Sequence, residues 1–543
     1  MQFNLADLFE SLADAIPDRA ALVSGNERRT FAELDARANR LANFLRSRGI
    51  GRGSHIGLHL YNGPAFVEGM LAAFKLSAVP INVNYRYVER ELRYLCENAD
   101  LAAILTESEL ADVLKSSVLG LSTLKTLLVV GDGSAVDLLS SEELDVFDYE
   151  KALAQASPAR DFPARSGDDL YIIYTGGTTG LPKGVIWRHE DVFFAGLQGG
   201  RPGGDPISRP EELAENAKDP DLSMNILPAA PFIHGAAQWA ALIGLFTGGK
   251  VVLQPGKSYD ARRICELIGE EKVTTITLVG DAMARPLVEA LGAPGARYDT
   301  SSLIVIASAG AVLSPVVRER LRELVPDTMV LNNFGATETG HQGSALPGAE
   351  SGTDGRPSFF MDGSNIVVDE NLAPLEPGSG KVGRLARGGR LPLGYYKDPE
   401  KTAERFVVIH GKRFCIPGDF ATLEADGRIT VLGRGAVCIN TGGEKVFPEE
   451  VEEVLKAHPD IFDAVVVGVP DERWMQRVAA VVELRPGRPA PSLDELQAHC
   501  RASIAGYKLP RQLTLVTRIE RQPSGKPDYA WAREIAVQNR SVA

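Results

Sequence analysis

The sequence predicts an α/β protein with a large N-terminal domain of mainly parallel sheets and flanking helices, followed by a small α+β C-terminal domain. The chain has 543 residues, which is more than one compact core usually holds. Short apolar runs alternate with amphipathic segments over most of this length, as expected for parallel strands that are buried on both faces. The pattern changes after about Arg434, so we predict domains at 1–434 and 435–543.

The elements of the N-terminal domain follow from the period of the apolar residues. A period near 3.6 predicts helices at 31–45 and 64–76. Short apolar runs predict buried strands at 55–60, 102–105, 126–130, 274–279 and 303–307. The stretch 199–219 is rich in Gly, Pro and charged residues and therefore predicts a surface loop.

The C-terminal domain is predicted to mix short helices with strands. Helical spacing of apolar and charged residues predicts helices at 449–457 and 493–505. Apolar runs predict strands at 464–469, 478–484 and 512–519. Such a mixture within one small unit is typical of an α+β domain.

Composition and charge exclude several classes of protein. The formal net charge of −13 argues against a nucleic-acid-binding protein, because phosphate contacts need a cationic surface. The most apolar stretch, 229–246, contains His234, Gln238 and several glycines, so we expect a buried core helix and strand there and no integral membrane segment. The first seven residues lack the basic start and apolar core of a secretory signal.

The cysteines point to a reducing compartment. There are five, and no two have the spacing of a metal or redox site: Cys96, Cys265, Cys415, Cys438 and Cys500. We therefore expect free thiols and a cytoplasmic protein.

The strongest local motif is Tyr-Thr-Gly-Gly-Thr-Thr-Gly-Leu-Pro-Lys-Gly at 174–184, which follows an apolar run. Glycines let the backbone curl so that several N–H groups point at one anion, the threonine hydroxyls add donors, and Lys183 adds positive charge. The motif therefore indicates a phosphate-binding loop. It is not a Walker A loop, because Pro182 precedes the lysine and Gly184 follows it, and it contains no dinucleotide-binding Gly-x-Gly-x-x-Gly.

At this loop the sequence resembles the adenylate-forming superfamily, which contains acyl-CoA synthetases, firefly luciferase and the adenylation domains of peptide synthetases. The resemblance covers nearly the whole chain, because further motifs of the family follow in the same order. They lie at Asn333–Glu338 (Asn-Phe-Gly-Ala-Thr-Glu), 394–406, Pro417–Asp419, Gly433–Arg434, 442–452 and 523–526. Read singly, several of these residues are equally well explained as a core aromatic, a turn aspartate or a solvated lysine; the ordered set is specific.

The resemblance implies an ATP site. Phe334 would offer a flat face to adenine, Asp419 would accept hydrogen bonds from the ribose hydroxyls, and Glu338 would supply a carboxylate oxygen to Mg²⁺. Arg434 would donate to the ribose or to a phosphate. The implied ATP- and AMP-binding residues are Thr175, Gly176, Gly177, Thr178, Thr179, Gly180, Lys183, Gly310, Asn333, Phe334, Gly335, Thr337, Asp419 and Arg434.

The resemblance also implies a two-step reaction in which a carboxylic acid becomes an acyl-adenylate and the acyl group then passes to the thiol of CoA. The implied catalytic residues are Lys526, Glu338, Thr178 and Lys183. Lys526 would stabilise the negative charge that develops as the carboxylate attacks the α-phosphate. Replacing Lys526 by alanine is therefore expected to abolish adenylate formation and to spare thiolation.

In this family the small domain is mobile and rotates between the two steps. The resemblance places the hinge at Gly435 and Ala436. After the rotation Lys526 withdraws and the turn 442–445 approaches the site. The implied acyl and CoA channel consists of His234, Gly235, Gly280, Ala311, Gly442, Gly443, Glu444 and Lys445. His234 read alone is as well explained as a hydrogen-bonded core histidine.

Three positions depart from the family pattern. Gly176 stands where relatives commonly have serine, so one hydroxyl donor is lost. Pro417 replaces a usual Ser or Thr, and Ala436 replaces a usual charged hinge residue. None of these changes removes Lys183, Glu338 or Lys526.

The identity of the acid rests on pocket size and on a finer resemblance. Segments that line the acyl pocket in relatives are rich here in Gly and Ala, which leaves room for a bulky apolar acid. The segments 187–191, 280–287 and 439–445 resemble actinobacterial acyl-CoA ligases of fatty-acid and sterol side-chain degradation. A steroid side-chain or fatty acid is therefore predicted, with an aromatic acid as the alternative.

Other functions on the same fold stay open from the sequence. They are a stand-alone adenylation enzyme that loads a carrier protein, a luciferase-like oxygenase and a non-catalytic nucleotide-binding scaffold. The tail after Lys526 is expected to be too short for a fused carrier domain. The expected partners are a small carboxylic acid, ATP with Mg²⁺, CoA and a second copy of the chain in a homodimer.

Overall fold

The computed structural model describes residues 2–177, 180–311, 313–345, 358–441, 444–471, 475–504, 506–522 and 526–539. The helices of these residues are α1 (Leu5–Ala15), α2 (Phe31–Ser47), α3 (Pro64–Lys75), α4 (Glu89–Asn98), α5 (Ala111–Val118), α6 (Val136–Leu139), α7 (Tyr149–Gln155), α8 (His189–Ala195), α9 (Glu211–Ala217), α10 (Gly235–Phe246), α11 (Ala261–Glu270), α12 (Gly280–Leu291), α13 (Pro315–Leu324), α14 (Pro399–Arg405), α15 (Pro448–Lys456), α16 (Leu493–Arg501) and α17 (Tyr529–Gln538).

The strands are β1 (Ala20–Ser24), β2 (Glu27–Thr30), β3 (His55–His59), β4 (Val79–Asn82), β5 (Leu101–Glu107), β6 (Thr126–Val130), β7 (Asp145–Asp148), β8 (Leu170–Gly177), β9 (Gly180–Arg188), β10 (Ile226–Pro228), β11 (Val251–Leu253), β12 (Thr275–Leu278), β13 (Val305–Ser308), β14 (Met329–Ala336), β15 (Gly340–Ala345), β16 (Ser358–Met361), β17 (Asn365–Val368), β18 (Gly383–Arg387), β19 (Gly394–Tyr395), β20 (Phe406–Ile409), β21 (Lys412–Cys415), β22 (Asp419–Leu423), β23 (Ile429–Arg434), β24 (Ile439–Thr441), β25 (Glu444–Val446), β26 (Ile461–Asp471), β27 (Met475–Leu484) and β28 (Gln512–Val516).

The described residues form three sheets. One has the strand order β19-β9-β8-β4-β3-β5-β6-β7, and its strands from β8 to β7 in that order are parallel. A second starts as β2-β1-β11-β10-β12-β13-β14 and continues through β15, β16, β23, β22, β18, β21 and β20, with β17 paired to β18. The third belongs to the small domain, with the order β25-β24-β27-β26 and β28 paired to β27.

The predicted fold class is confirmed. The predicted helices at 31–45 and 64–76 correspond to α2 and α3, and the predicted N-terminal strands to β3, β5, β6, β12 and β13. From β14 onward the second sheet turns antiparallel, which the sequence analysis did not distinguish. Parallel strands need crossover helices, whereas the segment after β15 is too poor in helical sequence to supply them.

Of the core helix and strand predicted at 229–246, the helix is confirmed, whereas the nearest strand, β10, ends just before this stretch at Pro228. The stretch contains α10, which is buried along most of its length, including Trp239, Leu242 and Phe246. Among the described helices, none combines the length and the apolar composition that a membrane crossing requires.

The prediction of a surface loop at 199–219 is wrong in part. Residues Glu211–Ala217 form α9, whose Leu213 and Ala217 lie on one helical face and are buried. Gly200 has φ +75° and is also buried; a Cβ at this glycine would lie 2.7 Å from the side chain of Leu213. Within α9 the charged residues Glu211 and Glu215 are exposed, so in this part of the stretch the charge marks the outer face of a packed helix.

The small domain has a core on each face of its sheet. Alternate residues of β26 point to opposite sides, so Ala464 and Val466 pack beneath α15 and α16 while Val465 and Val467 pack beneath α17. The predicted helix at 493–505 ends earlier, at Arg501. A short 3₁₀ turn, Gly435–Val437, joins this domain to β23 of the large domain.

Candidate active site

The glycine- and threonine-rich loop joins two antiparallel strands. β8 and β9 pair so that Thr175 lies opposite Lys183 and Gly177 opposite Gly180. Thr178 and Thr179 lie outside the described residues. The hairpin therefore carries Lys183 on its return strand, close to the turn that the sequence analysis assigned to phosphates.

Lys183 is held by an ion pair that links distant parts of the chain. Its Nζ lies 2.5 Å from Asp398 Oδ2 and 5.8 Å from the ring centre of Tyr395. The hydrogen bond from Lys183 lowers the pKa of the Asp398 carboxyl below its ordinary value. Asp398 also caps α14 by accepting from the backbone N–H of Lys401. The ammonium group is thus aimed by a carboxylate that is itself fixed.

Tyr395 brings Glu338 to the same place. The hydroxyl of Tyr395 donates to Glu338 Oε1 over 3.0 Å. Burial raises the pKa of Tyr395, and the Glu338 carboxylate raises it further, so the phenol stays a donor. β19 is itself paired to β9, with Tyr395 opposite Val185, and the N–H of Tyr396 donates to Gly184 O over 2.8 Å. Lys183 and Glu338, which the sequence analysis assigned to one site, are therefore neighbours.

Asn82 was not predicted as a site residue. Its Nδ2 donates to the carbonyls of Tyr174 and Ile233, over 2.8 and 2.7 Å, and its Oδ1 accepts from the N–H of Tyr174. The side chain is buried at the end of β4. Asn82 therefore connects the β8–β9 hairpin to the segment that carries His234. The only signal in the sequence is a polar residue at the end of a buried apolar strand.

The Asn333–Glu338 motif forms the end of β14 and the start of the turn to β15. A Cβ at Gly335 would lie 2.3 Å from Gly340 O, so only glycine fits there. The carbonyl of Thr337 accepts from Trp187 Nε1 over 2.9 Å, and Asn333 Oδ1 accepts from Ser344 Oγ over 2.7 Å. The turn is thereby attached to β9, beside the phosphate hairpin.

Phe334 and Asp419 lie on neighbouring parts of the same sheet. The ring of Phe334 is half-buried and its centre lies 5.3 Å from that of Phe359. Asp419 is buried, and in the β22–β23 pair it lies opposite Arg434, whose side chain is outside the described part. Glu338 and Asp419 both act electrostatically on the buried thiol of Cys415; burial raises the pKa of that thiol, and Glu338 and Asp419 raise it further. Both carboxylates therefore act on the same buried group.

The large-domain residues assigned to the acyl channel follow the neighbouring parallel strands β10, β12 and β13. A Cβ at Gly235 would lie 3.8 Å from Thr337 Oγ1, so the start of α10, just after His234, meets the Asn333–Glu338 turn. The N–H of Gly280 donates to Ser308 Oγ over 3.0 Å. Gly310 has φ +80°, and a Cβ there would meet no described atom within 4 Å. The small residue leaves open space beside Ala311.

The remaining predicted site residues lie in the small domain and in the turn that leads to it. Gly442 and Gly443 lie outside the described residues, while Glu444 and Lys445 lie on β25 opposite Thr441 and Asn440. The predicted hinge residues Gly435 and Ala436 lie in the 3₁₀ turn between the domains. Lys526 is half-buried, and its carbonyl accepts from the N–H of Gln522 over 2.9 Å.

The donor set fits a divalent cation that arrives with a triphosphate. In the described part of the chain no group of three or more His, Cys, Asp or Glu side chains could form a metal cage. Glu338 uses Oε1 for the Tyr395 hydrogen bond, which leaves Oε2 for a hard cation such as Mg²⁺. One protein carboxylate together with phosphate oxygens is the usual way in which Mg²⁺ is bound in nucleotide sites.

Both the large and the small domain match known protein families. Residues 9–396 match the family model described as AMP-binding enzyme, and residues 450–526 match that of the AMP-binding enzyme C-terminal domain. The chain is 47% identical over 541 residues to a 3-oxocholest-4-en-26-oate–CoA ligase of Rhodococcus rhodochrous, covering 98% of this chain and 96% of that protein. It is 46% identical over 534 residues to a medium/long-chain-fatty-acid–CoA/3-oxocholest-4-en-26-oate–CoA ligase of Mycobacterium tuberculosis, with the same coverage.

Solved structures share the fold at lower identity. The crystal structure of the anthranilate CoA ligase AuaEII with anthranoyl-AMP matches with a TM-score of 0.85 and 22% identity, covering 99% of this chain and 98% of that chain. ATP-bound MatB from Rhodopseudomonas palustris matches with a TM-score of 0.80 and 24% identity, over 98% and 99% of the two chains.

Proposed function

This chain belongs to the AMP-binding enzyme family and is an ATP-dependent acyl-CoA ligase, and we propose that its acid is a steroid side-chain carboxylate or a medium- to long-chain fatty acid. The observation that carries the proposal is the similarity along nearly the whole chain to ligases named for both kinds of acid. Gly310 supports it, because a Cβ there would meet no described atom within 4 Å and the space is therefore open to a bulky apolar group.

In the proposed first step, the substrate carboxylate attacks the α-phosphorus of ATP and pyrophosphate leaves. The backbone of the β8–β9 hairpin and Lys183 hold the triphosphate, and Asp419 accepts from the ribose. Lys526 stabilises the charge shared by the attacking carboxylate and the α-phosphate. Glu338 would hold Mg²⁺, which when bound neutralises charge on the leaving pyrophosphate. The geometry of Lys183, Tyr395 and Glu338 supports these assignments.

In the proposed second step, the CoA thiol attacks the acyl carbon, acyl-CoA forms and AMP leaves. The small domain rotates about Gly435 and Ala436 and brings the 442–445 turn to the site. The position of these two residues in a short turn between the domains supports a hinge there. Gly435 packs tightly, because a Cβ there would lie 2.5 Å from the ring of Phe420. Rotation therefore breaks a specific contact and leads to a second defined arrangement.

A screen of acids tests the proposed substrate class. Purified protein with MgATP and CoA is given octanoate, palmitate, a 3-oxo-steroid side-chain acid or benzoate, and AMP release is measured. We expect the steroid acid and at least one fatty acid to give the highest kcat/KM, with AMP release dependent on CoA. A preference for benzoate would favour an aromatic-acid ligase, and release that depends on a phosphopantetheinylated carrier instead of CoA would favour carrier loading.

We further propose a cytoplasmic location and a homodimer. The five cysteines are free thiols, and all except Cys438 are buried, which suits a reducing compartment. Fractionation of cells, and the mass of the purified protein in solution by light scattering, test these two points.

A further inference from the structure

The hairpin that carries Lys526 is attached to the rest of the small domain by Arg521. Arg521 and Pro527 form an antiparallel bridge, and the N–H of Gln522 donates to Lys526 O over 2.9 Å. Arg521 therefore lies at the base of the segment that carries Lys526. A displacement of this base also displaces the backbone of Lys526.

Arg521 grips a buried carboxylate. Its Nε and Nη2 donate to Asp463 Oδ2 over 3.1 and 2.5 Å. The other oxygen of Asp463 accepts from the N–H of Ala464 over 2.9 Å and lies 3.6 Å from Lys456 Nζ. Lys456 is also 3.9 Å from the buried carboxylate of Glu452. The Asp463 carboxylate is held by these buried partners in one orientation. The Arg521–Asp463 pair can therefore fix the position of the segment that follows Arg521.

The residue before Asp463 contacts the large domain. The guanidinium of Arg285, on α12, lies 5.6 Å from the ring centre of Phe462. Arg285 also donates to Asp281 Oδ2 over 2.9 Å, and Asp281 Oδ1 accepts from the N–H of Ser314 over 2.8 Å. Asp281 directly follows Gly280, a residue of the acyl channel. This face of α12 therefore connects the small domain to the wall of the site.

Electrostatic effects on two arginines of the small domain, Arg521 and Arg485, also reach across the contact with α12. Burial lowers the pKa of the Arg521 guanidinium, but Asp463, Glu452 and Asp281 together raise it above its ordinary value. Asp281 belongs to the large domain, so Arg521 lies within electrostatic reach of both domains. In the small domain the pKa of Arg485 is lowered, first by burial and then by the charge of Arg285 on α12, while Glu289, two turns further along α12 from Asp281, raises it. Charges of both signs therefore act across this contact.

We propose that Arg521 is a positioning residue for adenylate formation: clamped on Asp463, and docked on α12 through Phe462 and Arg285, it fixes the hairpin that carries Lys526. The proposal rests on the proposed function, in which Lys526 acts in the first step and withdraws before the second. The docking of Phe462 on Arg285 belongs to the first arrangement of the domains and is broken when the small domain rotates. Arg521 therefore matters for one half-reaction and not for the other.

The test measures the two half-reactions separately in the full-length protein. Adenylate formation is followed by pyrophosphate exchange, and thiolation by acyl-CoA formation from supplied acyl-adenylate. We expect Arg521→Met to lower the exchange rate by about a hundredfold through kcat, and to leave thiolation within about twofold. Arg521→Lys, which keeps the charge and loses the fork of donors, is expected to lose roughly tenfold in exchange.

Two further variants keep the test decisive if Arg521→Met does not fold. Phe462→Leu removes the ring face and leaves the buried ion pairs intact, and it is expected to slow exchange and spare thiolation. Arg533→Met, on the exposed face of α17, is the matched control and should change neither rate. The thermal unfolding of each variant is measured alongside.

Lys526→Ala is the reference that separates the two proposals. If it retains pyrophosphate exchange, the role assigned to Lys526 under the proposed function is wrong. If Lys526→Ala loses exchange while folded Arg521→Lys and Phe462→Leu keep the wild-type rate, the positioning role of Arg521 is overturned. Equal losses in both half-reactions would also overturn it, because a merely structural residue would act on both.

Discussion

Two predicted site residues of this ligase are oriented by partners that are distant in the chain. Lys183 is oriented by Asp398, and Glu338 by the hydroxyl of Tyr395. Such pairs lower the cost of ordering flexible side chains around a highly charged substrate. The position of Tyr395, between the ammonium of Lys183 and the carboxylate of Glu338, makes it the residue on which both assignments depend.

Replacing Tyr395 by phenylalanine removes the hydrogen bond to Glu338 and keeps the ring. Because hydrogen bonds to charged groups contribute about 1.5–3 kcal/mol, we expect the KM for MgATP in pyrophosphate exchange to rise by roughly ten- to a hundredfold. Tyr396→Phe is the matched control, since the hydroxyl of Tyr396 donates to Asp100, which is not a site residue. An unchanged KM for Tyr395→Phe would show that Glu338 needs no such support.

At the scale of secondary-structure elements, β14 and β15 approach each other so closely that no side chain fits between their backbones. β14 turns into β15 so tightly that Gly335 faces the carbonyl of Gly340. The same turn carries Phe334 and Thr337, and Trp187 holds it to the phosphate strand. The geometry of the turn therefore sets the distance between the predicted adenine-binding face and the phosphates.

Replacing Gly335 by alanine is expected to strain this turn. The added Cβ would lie 2.3 Å from Gly340 O, so the strands must separate. We expect a loss of about 1–3 kcal/mol in the free energy of unfolding, measured in urea, together with slower pyrophosphate exchange. Gly363→Ala, where the new Cβ meets no described atom within 4 Å, is the control and should match the wild type. A stable, fully active Gly335→Ala protein would contradict the expectation.

The molecule as a whole buries neutral histidines in its large domain. Burial lowers the pKa of His59 to about 3, and burial together with Arg387 lowers that of His341 to about 4. Both rings bind a proton in the unfolded chain below their ordinary pKa of about 6.5, and in the folded protein only at much lower pH. Their contribution to stability is therefore present above pH 6.5 and is lost as the pH falls toward these values.

Acidification from pH 7 to pH 5 is expected to destabilise the protein through these two histidines. At pH 5 each of these histidines should cost about 2 kcal/mol relative to pH 7, from the protons that only the unfolded state binds. Urea unfolding at pH 7 and pH 5 measures the difference. His59→Gln should reduce the loss by about that amount, whereas His410→Asn at an exposed turn should not. Equal pH dependence in His59→Gln and the wild type would contradict this account.

Much of the architecture can be predicted from the sequence. The apolar periods predicted α2, α3 and the buried strands, and the ordered motifs predicted the family. The loop predicted at 199–219 was wrong over α9, because charged residues on one face of a short helix hide the two apolar residues that anchor it. The roles of individual site residues stay predictions, which the experiments above address.

The sequence by itself determined the family and predicted its chemistry: a turn for phosphates, a carboxylate for a metal and Lys526 for the first step. Only the tertiary structure decided which side chains support them. Asn82 and Arg521 have no distinctive local pattern. Asp398 lies in the 394–406 motif, but only the structure shows that it acts on Lys183, from 215 residues away. Motifs are local because backbone turns are local, whereas the orientation of a side chain depends on packing between segments that are distant in the chain.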